Sequence, residues 1–406
     1  MVCGNPCWEE REVALKDTLV KLKTRFLPPS SRSFYQRTSM LLDQIALLEQ
    51  ARREDRQLIE ALRREVAQAT VQLSNEVRSF EERSRIRWES LYAHPGESEE
   101  EIKRRFFAAI PPAIGIKRDF QLANARLLHE FHELCMANNL TYWVCFGSLV
   151  AVVSRGGSIP WDDDIDICMM RDDVDRLIEI VKGDPRLQIT VAYDGYVFCQ
   201  QIRFSLKDDR IPCFIDVCPW EWAIDSSESS DAQLRDLRLS LMEEFRQTIS
   251  DFACWRDYPI LYIPGSGKVV QCDGYNHPQP DEDRAREEIR AIEAVFEKYE
   301  NVAKASGLFC DKADAAGLAY GLRNIYDAPW RKTVFPCDIV LPTKTLRYEG
   351  YDVCVPCEYE TVCDECYPGW PYLPQDILGH EHMSKDILED LAVQDALSRY
   401  AEGEEL

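Results

Sequence analysis

The chain has 406 residues, 45% of them apolar and 29% charged, with a formal net charge of -23. That length holds one large domain or two ordinary ones. The negative balance argues against a nucleic-acid groove or an anionic membrane surface as the main partner. It leaves room for a phosphorylated small substrate bound through a local metal and a few Arg.

The first stretch, "MVCGNPCWEEREVALK", lacks the apolar core of an export signal, and the chain has no run of about 18 apolar residues. The expectation is a cytoplasmic chain without a transmembrane segment. Its 16 Cys are scattered through apolar runs such as "YWVCFGSL", as buried thiols are in reducing conditions. Residues 1–34 form an N-terminal segment of uncertain structure that breaks at "LPPSSRS". Over 35–92 a 3-4 spacing runs through Leu41, Ile45, Leu48, Arg52, Asp55, Ile59, Leu62, Val66, Ala69, Leu73, Glu76 and Phe80. This predicts a long helix with a coiled-coil seam, a candidate for homodimerisation, interrupted at its three charged positions.

A second helix is predicted over 117–139, stopping at Asn138 and Asn139. Then "LTYWVCFGSLVAVVS" reads as a strand running into a helix, "IDICMM" as a strand and "DDVDRLIEIVKGD" as a helix. Three further strands are expected in "LQITVAY", "YVFCQQIRFSL" and "CFIDVCPWEWAI", then helices near 230–252 and 281–306, and a last one near 384–400. Strands and helices mingle without a βαβ repeat. The predicted class is α+β, a mixed sheet flanked by helices over residues 105–400, with the coiled-coil helix in front.

The chemistry concentrates in "GSIPWDDDIDICMMRDD", residues 157–173, with six Asp. If Asp164-Ile165-Asp166 lies on a strand, Asp164 and Asp166 project to one side and Ile165 and Ile167 to the other. Fifty residues on, Asp216 sits in the apolar strand "FIDVCPW". Three carboxylates from two neighbouring strands make a hard-oxygen site for Mg²⁺ or Mn²⁺ shared with a substrate phosphate. Gly147 and Ser148, at a strand-to-helix turn, offer backbone N–H groups to a phosphate. Arg155 and Arg203 are candidate phosphate contacts; a salt bridge at a sheet edge serves equally well for Arg203. Asp162 and Asp163 read as structural, and Asp172 and Asp173 as helix-start residues. The pairs Cys354/Cys357 and Cys363/Cys366 are spaced as two C-x-x-C units, but the five residues between them are fewer than zinc fingers use. Buried thiols fit this spacing better than structural zinc. His380 and His382 mark a further polar loop.

A "GS" turn, a D-x-D strand and a third strand Asp resemble the nucleotidyltransferase fold. More narrowly, "FGSLVAVVSRGGSIPWDDDIDICM" resembles the LicD/fukutin family of phospho-group transferases, whose hallmark contains I-P-W-D-D-D-I-D-I. "FIDVCPWE" is similar to that family's second motif, and "LRYEGYDVCVPCEYETVCDECYPGWPYLPQ" to its closing block. The resemblance covers roughly residues 105–385. It differs in reading Ser148 for Thr, Ala151 for Gly, Arg155 one place late, and Pro368-Gly369 for Gly-Asp. The resemblance implies transfer of a phosphorylated alcohol, phosphocholine-like or ribitol-phosphate-like, from a CDP-activated donor to a carbohydrate, releasing CMP. It further implies that Asp164 and Asp166 hold the metal on the donor diphosphate, and that Asp216 completes the metal site or accepts the acceptor hydroxyl's proton. Two other readings share the residues: a nucleotidyltransferase that uses NTP and releases pyrophosphate, and a non-catalytic scaffold built on the coiled coil.

Overall fold

The structure, a computed structural model, describes residues 30–194, 199–250, 252, 260–263, 268–271, 282–323, 332–367, 369–373 and 388–404. His380 and His382 lie outside the described residues. The chain divides into two compact units, residues 1–93 and 94–406. The first holds one long helix, α1 (Ser30–Tyr92). Along it Leu41, Ile45, Leu48, Val66, Leu73 and Phe80 are 50% to 69% exposed.

The second unit is a mixed sheet with helices against it. Its elements in chain order are α2 (Glu99–Ala109), α3 (Ile116–Asn138), β1 (Tyr142–Val144), α4 (Phe146–Arg155), β2 (Asp166–Met170), α5 (Arg171–Lys182), β3 (Leu187–Asp194), β4 (Cys199–Leu206) and β5 (Phe214–Ala223). Then come α6 (Glu228–Ile249), β6 (Ile260–Ile263), β7 (Lys268–Gln271), α7 (Glu282–Ala305), β8 (Gly317–Tyr320) and β9 (Val334–Pro336). A short helix α8 (Cys337–Val340), the hairpin β10 (Lys344–Tyr348) and β11 (Tyr351–Val355), α9 (Tyr359–Cys366) and α10 (Leu391–Ala401) close the unit.

The main sheet runs β1-β2-β5-β4-β3-β6-β7. β2 and β5 pair in parallel, while the other pairs are antiparallel. The long β5 serves two neighbourhoods. Its first half lies between β2 and β4, and from Trp220 onward it takes up β8. The expected mixed sheet is therefore present. The predicted order of helices and strands from 117 to 223 matches as well, down to the left-handed Asn139 (φ 51°, ψ 47°) that ends α3. Asn reaches that conformation at less cost than most residues, and its N–H closes on the last helical carbonyls.

α3 covers one sheet face. Phe131 is fully buried there, edge-on to Tyr142 and Phe204 at 5.1 Å each. Tyr142 also ties the sheet to the hairpin: its hydroxyl is 2.9 Å from His132 Nδ1 and accepts from the Cys354 amide at 3.2 Å.

A second tie fixes the approach to the acidic run. Arg118 on α3 makes two bonds of 2.7 and 2.6 Å to Glu349, at the tip of the β10–β11 hairpin. Glu349 also accepts the Ser158 amide at 2.8 Å. A Cβ on Gly157 would stand only 2.8 Å from Glu349 Oε1, so the chain passes the carboxylate because Gly157 has no side chain. Burial alone would raise the Glu349 carboxyl; the Arg118 bonds and the Ser158 amide outweigh it and hold it below the ordinary value of 4.5.

Two outcomes are expected. Phe131→Ala costs about 3–5 kcal/mol in urea unfolding, the range for deleting a buried aromatic ring. Glu349→Gln costs about 3 kcal/mol at pH 7, because it leaves Arg118 without its partner. The folded pKa of Glu349 is depressed, so its contribution is present above the unfolded value and fades as pH falls through the folded one. The stability gap between wild type and Glu349→Gln therefore narrows below pH 4.5. A gap constant with pH would contradict the ion pair.

Candidate active site

The acidic run enters the sheet from a loop that α3 holds by its backbone. Lys117 Nζ donates to Trp161 O at 2.8 Å. Gln121 Nε2 donates to Ile159 O and Asp162 O at 2.9 and 2.7 Å, and Asn124 Nδ2 to Asp163 O at 2.9 Å. Gln121 and Asn124 are each 2% exposed and stand one helical turn apart, so they face the loop together. The carbonyls of 162 and 163 thus bond to side chains rather than to a neighbouring strand. For that reason β2 begins at Asp166 and not at Asp164, although the alternating pattern predicts a strand through both.

Asp166 stands in register with Asp216 on the parallel β5, and Asp216 with Arg203 on β4. The three side chains form a row across one face of the sheet. Arg203 Nε donates to Asp216 Oδ1 at 3.2 Å, and its guanidinium lies 4.2 Å from the Phe214 ring centroid. The predicted meeting of Asp166 with Asp216 on neighbouring strands is present, and Arg203 meets a carboxylate there. Burial, then Asp164, Cys218, Asp216 and Asp162, pushes the Asp166 carboxyl well above its ordinary range. Among the described residues no group of three or more His, Cys, Asp or Glu is arranged as a ready metal cage.

The helix after β1 closes the other side. Phe146 turns the chain at φ 49°, with its ring edge-on to Tyr320 at 5.5 Å. Ser148 Oγ accepts the Asp166 amide at 2.9 Å. A Cβ on Gly147 would lie 3.3 Å from Asp162 Oδ2. The N-terminus of α4 therefore faces one of the chain's own carboxylates, an anion of the kind helix N-termini favour. Asp162 and Asp163 are buried, in keeping with a structural role.

Arg155 lies away from the row. Its guanidinium donates to Phe107 O and Ile110 O, capping the end of α2. The four candidate zinc thiols form no disulfide: Cys354 and Cys363 are buried, Cys354 Sγ is 3.9 Å from His132 Nδ1, and Cys357 bonds to Glu358 at 3.5 Å. A different set of thiols adjoins the acidic row. Cys168 and Cys218 are register partners two residues beyond Asp166 and Asp216, and like Cys145 at the head of α4 they are buried.

The motifs do not single out the supporting residues. Gln121 and Asn124 carry a signal, two amides at i and i+3 on an otherwise apolar helix face. Glu349 carries one too, in the Glu-Gly of "LRYEGY".

Comparison with known proteins bears on this same segment. Residues 139–225 match the family model LicD/FKTN/FKRP, nucleotidyltransferase domain. A lipopolysaccharide cholinephosphotransferase LicD of Haemophilus influenzae is 38% identical over 63 residues, 16% of this chain and 24% of that protein. An uncharacterized protein of Rickettsia prowazekii is 38% identical over 77 residues, 19% of this chain and 29% of that protein. One of Rickettsia typhi is 35% identical over 75 residues, 18% and 24% of the two chains. The chain thus spans between 24% and 29% of the length of these relatives. The matched segment contains α4, the acidic run, Arg203 and Asp216, and over it the chain is similar to the LicD/FKTN/FKRP family.

Proposed function

We propose that the protein transfers a phosphorylated alcohol from a CDP-activated donor to a carbohydrate hydroxyl, releasing CMP. The observation that carries this reading is the lateral pairing of Asp166 with Asp216 on parallel strands inside the family segment. The cholinephosphotransferase relative favours a phosphocholine-like or ribitol-phosphate-like group over a nucleotide.

In the reaction the acceptor oxygen bonds to the phosphorus bearing the alcohol. The bond from that phosphorus to the CMP oxygen breaks, and CMP leaves with the electron pair. The acceptor's proton passes to a carboxylate of the row. Asp216, which Arg203 keeps oriented beside Asp166, is placed to receive it or to complete the metal site. The carboxylate oxygens suit Mg²⁺ or Mn²⁺, since Mg²⁺ is commonly held by one or two carboxylates together with substrate phosphates. Asp164 and Asp166, with Asp216, would hold it, and it would offset charge on the diphosphate. Gly147 and Ser148 then serve mainly to hold Asp162 and Asp166 in place.

CMP release tests the reading: CDP-choline and CDP-ribitol against CTP and ATP, with Mg²⁺ and a glycan acceptor. CMP is expected from one of the CDP-alcohols alone. Asp166→Asn and Asp216→Asn should each lower kcat by about 100-fold or more, the low end of general-base effects. Pyrophosphate from CTP or ATP would establish the nucleotidyltransferase reading instead. No turnover from any donor would leave the scaffold.

The apolar seam of α1 fits a second copy of the same helix, with a cytoplasmic dimer as the result. Among the described residues no helix is long and apolar enough to cross a membrane. Sedimentation velocity should give a dimer for the wild type and a monomer for Leu41→Glu/Leu48→Glu. An unchanged mass would reject the pairing.

A further inference from the structure

A cavity of about 250 Å³ lies at the other end of the two strands that carry the acidic row, between α5, β5 and α7. Glu221 follows Asp216 by five residues, about 16 Å along β5, and Arg171 is the first residue past the end of β2. The odd spacing also turns Glu221 to the other sheet face from Asp216. The cavity is therefore separate from the acidic row.

Its back wall is internally satisfied. Arg323 bonds Glu300 twice, at 2.6 and 3.1 Å, and Glu293 at 2.6 Å. Arg171 Nε donates to Glu221 at 2.9 Å. Arg171 Nη2 is different. It is buried without a hydrogen-bond acceptor, and its ion-pair distance to Glu300 is 3.7 Å, too long for a hydrogen bond. Gly321 shields it: a Cβ there would stand 3.5 Å from Nη2 and 2.6 Å from Pro219 O. A buried donor left open costs about 1–3 kcal/mol unless something occupies it. Lys304 and Asp175 line the same cavity from its exposed rim. Among the described residues neither has a hydrogen bond or ion-pair partner.

We propose that this cavity binds a small zwitterion, a phosphate or carboxylate head joined to a primary ammonium. The anionic head meets Arg171 Nη2 and Lys304; the ammonium donates to Asp175 and the outer oxygen of Glu221. Charge decides between ligand classes. With Arg323 and Arg171 already matched to carboxylates, the rim is left with one unpaired cation and one unpaired anion. A simple anion is repelled by Asp175, and a simple cation by Lys304. A quaternary ammonium has no hydrogen for the carboxylates, and Phe309 alone does not make an aromatic cage for it. Burial raises both Glu221 and Asp175, which favours an occupant that supplies positive charge to them.

Calorimetry on the full chain with O-phosphoethanolamine tests this, with glycine as the carboxylate counterpart. At least one of the two is expected to bind saturably. Inorganic phosphate and ethanolamine alone should each bind at least tenfold more weakly. Lys304→Gln and Asp175→Asn, both exposed and safe for folding, should each weaken the zwitterion about tenfold, or 1.4 kcal/mol. Asp166→Asn should leave it unchanged. The proposal fails if neither zwitterion gives heat at about 10 mM, or if binding is lost in Asp166→Asn and kept in both rim variants. Equally tight binding of glycerol 3-phosphate would overturn it in favour of a phosphorylated polyol.

Discussion

Three consecutive aspartates can enter a protein interior only if their backbone is held by something other than their own strand. Here Gln121 and Asn124 do this, spending their amide N–H groups on the carbonyls of residues 159, 162 and 163. Buried amides are expensive unless bonded, and buried carbonyls equally so. The N–H groups and the carbonyls satisfy each other, while the amide oxygens of Gln121 and Asn124 stay buried without a hydrogen-bond partner among the described residues. The side chains of the run are then free to be sorted: Asp162 toward the head of α4, Asp166 onto the sheet.

On the sheet, strand register decides which side chains meet. A parallel pair sets Asp166 beside Asp216, and an antiparallel pair sets Asp216 beside Arg203. Like charges at this spacing repel, and Arg203 offsets only part of that. The residual repulsion makes the row a place where a proton or a cation is welcome. A one-residue slip in either pairing would move a carboxylate to the apolar face, so the buried packing around Phe131 and Phe204 also guards the chemistry.

Local patterns carry most of the fold. The order of helices and strands from α3 to β5, the Asn139 stop and the two aspartate strands are all readable from periodicity and short motifs. Interactions between distant residues are not. Arg155 looks like a phosphate contact because its neighbours fit a motif, yet its partners are carbonyls at the end of α2, more than forty positions away. Ser148 looks like a ligand hydroxyl and accepts the amide of Asp166. Asp164 looks like a strand residue because alternation continues through it, while the carbonyls before it bond to helix side chains. In each case the sequence shows a residue's chemical capacity, and only the packing shows where it is spent.

Gly157 sets an order of assembly. The carboxylate that the chain must pass at that point belongs to Glu349, 191 positions later than the Ser158 amide it accepts. On the ribosome, the hallmark run emerges long before the hairpin that braces it. The Glu349 tie is therefore missing through the synthesis of α6, α7 and β8, while the bonds from α3 join segments made close together. The bracing of the loop waits on a contact between residues 191 positions apart, which makes it a late product of folding rather than its nucleus.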